Sequence, residues 1–299
     1  MNRRNFIEKT GILGAAAILP FSSCSQENKN TPKYKLGYQL YSIRDAMAKD
    51  PIATLKALKE MGYEDFETYG YETKDDTIYG FKSKELKKVL DDLGLTTSSG
   101  HFGFADYLGK SDDEMKRFVE QCIIGAKNLK MSYITWPWIA PKQRTIENFK
   151  IMTKHLNKIG EQVNAAGLGF AYHNHGFEFK DHNGENGYDI IIAETDPSLV
   201  KLQLDMYWVM HSSKLTPKEI IKQQPKRVVM WHIKDMDKVS RDYTELGNGS
   251  IDYVEHLPDP DESGLEFYFI EQGGNYAHNS TRSAADSASY FKKHLQKFL

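Results

Sequence analysis

Along this chain a short β-like run gives way to an amphipathic helical stretch, and the pattern repeats until it has occurred eight times. That rhythm limits the possible folds more than any other feature of the sequence. The strand-like runs cover 34–43, 63–69, 96–102, 131–136, 168–173, 200–206, 227–233 and 265–271. The spacing of apolar residues predicts helices over 51–61, 83–93, 112–128, 146–166, 187–194, 217–223, 251–257 and 284–298. Pro51 suits a first helical turn, and Gly62, Gly94 and Gly167 stand where helices stop. Strands separated by crossover helices pair in parallel. Eight units with no long linker between them close on themselves. The expected fold class is therefore α/β, a single-domain (β/α)8 TIM barrel over residues 34–299, about 265 residues long.

The N-terminus reads differently. Arg3 and Arg4 precede an apolar run from Gly11 to Phe21, the order of an export signal. The run is shorter than the ~20 apolar residues that span a bilayer. Arg3-Arg4-Asn5-Phe6-Ile7 has the look of a twin-arginine signal. Small residues just before Cys24 resemble a bacterial lipobox, although Phe21 is a poor match to it, and ordinary cleavage nearby is the other reading. Residues 1–24 are expected to be an export and lipoprotein signal, and 25–33 a polar tether. The expected location is exported: periplasmic, or held at a bacterial membrane through an N-terminal lipid anchor. Cys122 is the only other cysteine and sits in an apolar-periodic helix, which makes it a small core residue. The net charge of −2 carries no basic stripe, so nucleic acid is not an expected partner. Pairing with a second copy is left open.

In a barrel of this kind the chemistry sits at the C-terminal ends of the strands, and ionisable residues crowd there. A carboxylate or imidazole placed at the end of an apolar strand loses solvent and needs a partner. Several that converge on one mouth can share a cation. His173, Asp205, His232 and Glu271, from four successive strands, form the expected metal set. Two imidazoles and two carboxylates suit Mn, Co, Zn or Fe better than Ca. His155, His211, His256 and His278 fall in helices or loops and are read as structural.

Five segments in order carry a family resemblance: Gly37-Tyr38-Gln39-Leu40-Tyr41-Ser42-Ile43-Arg44, Tyr172-His173-Asn174-His175, Leu204-Asp205-Met206-Tyr207-Trp208, His232-Ile233-Lys234-Asp235 and Leu246-Gly247-Asn248-Gly249-Ser250-Ile251-Asp252. Together they resemble the sugar phosphate isomerase/epimerase family, the xylose-isomerase-like barrels. In relatives such as the ketose 3-epimerases, the resemblance implies a metal held by Glu, Asp, His and Glu from strands five to eight. The two glutamates there also move protons. Asp205, His232 and Glu271 match the last three ligands, and His173 stands where the first Glu would be. His173, His175 and Glu178 are left as alternatives for completing the site.

What the resemblance implies is metal-assisted enolisation of a sugar. Glu271 is expected to move the proton, and Lys234 and His101 to steady oxyanions or protonate a leaving hydroxyl. Glu67 and Arg44 are expected to grip hydroxyls. Trp136, Trp138 and Trp208 fit either a substrate wall or the core. Export and the lack of a Gly-rich phosphate cradle favour a non-phosphorylated sugar or keto-sugar. Isomerisation or epimerisation leads. A lyase or hydratase acting on a keto-glycoside or unsaturated keto-sugar follows closely, because one carboxylate is missing. A non-catalytic sugar-binding lipoprotein is the third reading.

Overall fold

The computed structural model describes residues 32–299. The export segment, Cys24 and the tether as far as residue 31 lie outside the described residues. Eight parallel strands close into a barrel: β1 Gly37–Gln39, β2 Asp65–Tyr69, β3 Thr96–His101, β4 Tyr133–Trp136, β5 Gly169–His173, β6 Lys201–Asp205, β7 Val228–Ile233 and β8 Phe267–Ile270. Each pairs with its neighbours in sequence, and β1 closes on β8 through Tyr38 and Ile270. All six residues of β7 are buried, as expected of a strand covered by helices on one side and by the barrel interior on the other.

The helices follow from caps and stripes. Ile146–Ala165 starts at Thr145, whose hydroxyl accepts the Asn148 N–H, and it buries Phe149, Met152, Leu156, Ile159 and Val163 along one face. Burying each of these side chains is worth roughly 1.5–3 kcal/mol. Asp112–Leu129 opens with a Ser111/Glu114 capping box. Cys122 on this helix is a fully buried free thiol, the small core residue expected. Among the described residues no helix is long and apolar enough to cross a membrane.

Three departures from the expected boundaries bear on the site. The first strand ends at Gln39 because its side-chain oxygen accepts the Tyr41 N–H and turns the chain into a 3-10 segment, Leu40–Ile43. The seventh helix shrinks to one turn, Tyr253–His256, because Pro258 cannot continue it. An unexpected helix, Met206–Ser212, follows β6 directly. Asp205 caps this helix by accepting the Trp208 N–H.

Candidate metal centre

Four strand ends put four ligand-type side chains in one place. His173 closes β5, Asp205 closes β6, His232 lies near the end of β7, and Glu271 follows β8. One ligand atom from each lies within 4.8 Å of the others. His173, Asp205 and His232 are almost completely buried, and Glu271, 8% exposed, faces a cavity of about 1020 Å³ at the barrel mouth. Asn174, just past the end of β5, fixes Asp205: its Oδ1 accepts the Asp205 N–H at 3.0 Å. The Oδ1 of Asp205 is taken by the Trp208 N–H at 3.1 Å, which leaves Oδ2 on the cluster side.

Lys234 supplies the compensating charge. Its Nζ lies 2.6 Å from Asp205 Oδ2 and 2.7 Å from Glu271 Oε2. Burial would lower the Lys234 pKa, but the two carboxylates hold it above the ordinary lysine value. Burial would raise Glu271, yet Lys234 and His232 pull it well below the usual carboxylate range. Glu271 is thus a carboxylate, able to act as a ligand or a base. Burial, reinforced by nearby cationic groups, pushes His173 well below its ordinary value. A neutral imidazole is the form that binds metals. His173 Nδ1 is buried without a hydrogen-bond partner, and Asp205 Oδ2 is met by the Lys234 ammonium. A buried imidazole with an unpartnered nitrogen and two carboxylates gathered on one ammonium are a donor set that a borderline divalent cation fits.

Beneath the cluster lies a polar layer inside the barrel. Glu67 on β2, fully buried, is its hub. Its oxygens accept from Gln39 Nε2 at 2.6 Å, Ser99 Oγ at 2.7 Å and Gln203 Nε2 at 2.6 Å, and Oε2 lies 2.5 Å from His232 Nε2. His101 Nε2 sits 3.0 Å from the same oxygen. Burial works to raise the Glu67 pKa, but the charges of His101 and His232 overcome it and hold the carboxyl well below its usual range. The other ring nitrogen of His232, Nδ1, is 2.5 Å from Glu271 Oε2. Burial lowers the His232 pKa, the two carboxylates raise it, and the net value is about 9, so His232 would bind a metal through Nδ1 by giving up its proton and its contact with Glu271.

No protein-family model matches this chain, and no curated protein matches it. Solved structures do. A sugar phosphate isomerase/epimerase from Parabacteroides distasonis superposes with a TM-score of 0.75 at 25% identity, over 90% of this chain and 96% of that one. The chain is similar to the sugar phosphate isomerase/epimerases. An L-ribulose 3-epimerase matches with a TM-score of 0.66 at 16% identity, over 88% of this chain and 95% of that one. The IOLI protein, whose structure carries a zinc atom, matches with a TM-score of 0.68 at 15% identity, over 89% and 99%. At these lower identities the likeness is one of fold.

On this isomerase/epimerase-like barrel the residues anticipated from sequence separate into groups. His101, His173, Lys234 and Glu271 line the same cavity, as do His175, Trp138 and Trp208. Glu67 does not reach the cavity to grip hydroxyls. Its oxygens are consumed beneath His232, and it positions that ring instead. Trp136 is fully buried, stacked on Phe104 with its indole N–H donated to the Trp138 carbonyl, and so belongs to the core. Glu178 does not complete the cluster. It is sealed under His175, accepting the Tyr172 hydroxyl at 2.7 Å and the His175 N–H at 2.9 Å. Arg44 is held away from the cluster, over the Tyr41 ring and against the Tyr41 carbonyl and the Tyr276 hydroxyl.

Two quoted motifs turn out to build the frame. Asp235 Oδ2 accepts the N–H groups of Gly247 and Gly249, and Oδ1 those of Met236 and Ile251, so the Leu246–Asp252 loop wraps around one carboxylate. Ser42 accepts the Gln272 N–H and ties the end of β1 to the chain leaving β8. Gln203, Ser99 and Thr135 were not anticipated. Their signal was present: Gln203 stands between Leu202 and Leu204, and Thr135 between Ile134 and Trp136, polar residues inside apolar strands.

Proposed function

We propose that this protein is a metal-dependent isomerase or epimerase of a non-phosphorylated sugar or keto-sugar. The observation that carries the reading is the buried His173, Asp205, His232 and Glu271 cluster opening onto a cavity at the barrel mouth. These four residues would hold Mn, Co, Zn or Fe, and the ion would supply Lewis acidity toward a substrate oxygen. Glu271, ionised and facing the cavity, removes the proton from the carbon next to the carbonyl and returns it to the adjacent position. Lys234 stabilises negative charge on the substrate oxygens through its ammonium group, and His101, which lines the same cavity, steadies those oxygens beside it. Glu67 keeps His232 oriented from below. The signal-like N-terminus, with Arg3, Arg4 and Cys24, supports an exported lipoprotein, a setting in which free sugars rather than phosphorylated ones are met.

One observation favours a second reading. Epimerisation needs a proton carrier on each face of the carbon, and His173 and the sealed Glu178 leave Glu271 as the only ionised glutamate in the cluster. A lyase needs less: Glu271 takes the proton, the carbon–oxygen bond to the leaving group breaks as the double bond forms, and Lys234 or His101 gives a proton to the departing oxygen. A hydratase runs the same steps backwards. Elemental analysis of the purified protein and of an Asp205→Ala, His232→Ala variant tests the centre, and about one transition metal per chain, lost in the variant, is the expected result. Metal in neither protein after reconstitution would put a non-catalytic sugar-binding lipoprotein in its place. Solvent deuterium entering a keto-sugar with no leaving group lost marks isomerisation. An enone chromophore marks elimination.

A further inference from the structure

The cavity is larger and more aromatic than a single sugar requires. Its volume of about 1020 Å³ stands at the top of the roughly 300–1,000 Å³ range of pockets that enclose drug-sized ligands. A lone pyranose is much smaller than such ligands. Ten of the 25 lining residues are Tyr, Phe or Trp, against 12% of the chain, so the aromatic lining is not a reflection of composition.

Burial orders the cavity by depth. His173 at 1%, Lys234 at 3% and Glu271 at 8% exposure form the floor, whereas Trp138 at 40% and Tyr41 at 43% stand at the rim. Singly exposed aromatics are common on any surface, but here they stand on the wall of one cavity whose lining is rich in Tyr, Phe and Trp, where a ligand ring can cover them. Trp138 is not loosely placed: its carbonyl is fixed by the Trp136 indole N–H at 2.9 Å, and the Arg144 guanidinium lies 5.6 Å from its ring. Arg144 in turn stacks 3.9 Å over Phe177, with its Nε donated to the Ile139 carbonyl. Phe177 is itself covered by Arg144 and by His175, which stacks on it at 5.6 Å, so Trp138 is the indole of this wall left open to a ligand. Planar π and guanidinium faces bind rings by stacking.

The lining is only sparsely cationic. Apart from histidines, its cations are Arg144 and Lys234. Lys234 is shared with two carboxylates, and Arg144 spends its Nε on the backbone and offers its terminal nitrogens alone. Glu72 and Asp106 add negative charge to the lining.

We propose that the rim is a second-ring subsite and that the substrate is a glycoside, its reacting sugar on the floor against Glu271 and its aglycone or second sugar stacked on Trp138, which Arg144 and Phe177 buttress. This rests on the sugar reading above and narrows it: a two-ring glycoside is the substrate, and a free monosaccharide is at best a weak one.

Calorimetric titration of the purified protein with probes that do not turn over tests this. Phenyl glycosides and disaccharides of glucose, galactose and mannose are compared with the corresponding methyl glycosides. The expected result is binding of a two-ring probe about tenfold tighter than its methyl counterpart, a gain of about 1.4 kcal/mol. Trp138→Ala should erase the difference without altering the methyl glycoside, and Trp138→Phe should keep it. Circular dichroism checks that both variants fold. Preference for phenyl over disaccharide assigns an aryl aglycone, and the reverse assigns a second sugar. Equal binding of methyl and two-ring probes, unchanged by Trp138→Ala, overturns the subsite and leaves the sugar reading standing. Absence of binding by every probe overturns the subsite, and the sugar reading is then decided by solvent-deuterium entry into keto-sugars.

Discussion

Glu67 on β2 and His232 on β7 meet in the barrel interior with 2.5 Å between Oε2 and Nε2. The contact occupies one ring nitrogen and leaves the other, Nδ1, beside Glu271. A carboxylate behind a ligating histidine fixes its tautomer and ring orientation, and losing such a partner typically costs 10–100-fold in metal affinity. Glu67→Gln is therefore expected to weaken metal binding by about that factor, read by competition with a chromophoric chelator. Unchanged affinity would reduce Glu67 to a packing role.

Lys234 holds Asp205 and Glu271 together with one buried ammonium. Removing one partner of a buried ion pair costs roughly 3–5 kcal/mol because the remaining charge is uncompensated. Lys234→Met should destabilise the metal-stripped protein by about that amount in denaturant unfolding. Added Zn²⁺ or Mn²⁺ should recover most of the loss, since the ion replaces the missing charge. An equal loss with and without metal would count against a cation site at these carboxylates.

Glu178 offers a pH signature away from the cluster. Burial raises its pKa from 4.5 to about 7, with the hydrogen bonds from Tyr172 and the His175 backbone opposing the rise. Between these values the folded protein keeps a proton that the unfolded chain has shed. The stability associated with this group is full below the ordinary glutamate value and is lost as pH rises through about 7. Glu178→Gln removes the titration. Unfolding free energies at pH 5 and pH 8 should show the variant gaining on the parent at the higher pH by as much as about 3 kcal/mol. A difference independent of pH would place the Glu178 pKa near its ordinary value.

Gly249 is required by the Asp235 carboxylate. A Cβ at this position would stand 2.1 Å from Asp235 Oδ1 and 2.5 Å from the Met236 carbonyl, so the loop has to shift. Gly249→Ala should destabilise the fold by roughly 1–3 kcal/mol in thermal unfolding. Gly274, where an added Cβ meets nothing within 4 Å, serves as the control, and Gly274→Ala is expected to stay within about 0.5 kcal/mol of the parent.

The barrel was legible because hydrophobic periodicity and helix stops are local properties. Gly62, Gly94 and Gly167 take positive φ where helices were expected to end, and Pro217–Gln223 appears with its expected bounds. The four strand-end residues of the cluster could be chosen together because barrel geometry brings successive strand ends to one mouth. The role of Glu67 was not legible. Its place at a strand end suggested a hydroxyl contact, and only the inward turn of its side chain toward Gln39, Ser99, Gln203 and His232 revealed the buried hub.

Sequence alone determined the order of strands and helices, the closed parallel barrel and the residue types gathered at its mouth, since each follows from periodicity, caps and chain connectivity. Tertiary structure decided which of those residues face the cavity and which face the core. Trp136 and Trp138 are two positions apart, yet one is fully buried and the other is 40% exposed. Glu178 and Glu271 are both glutamates near the mouth, yet one is sealed under His175 and the other meets Lys234 and His232. Exposure and partnership depend on neighbours distant in sequence, and a residue's own position along a strand does not specify them.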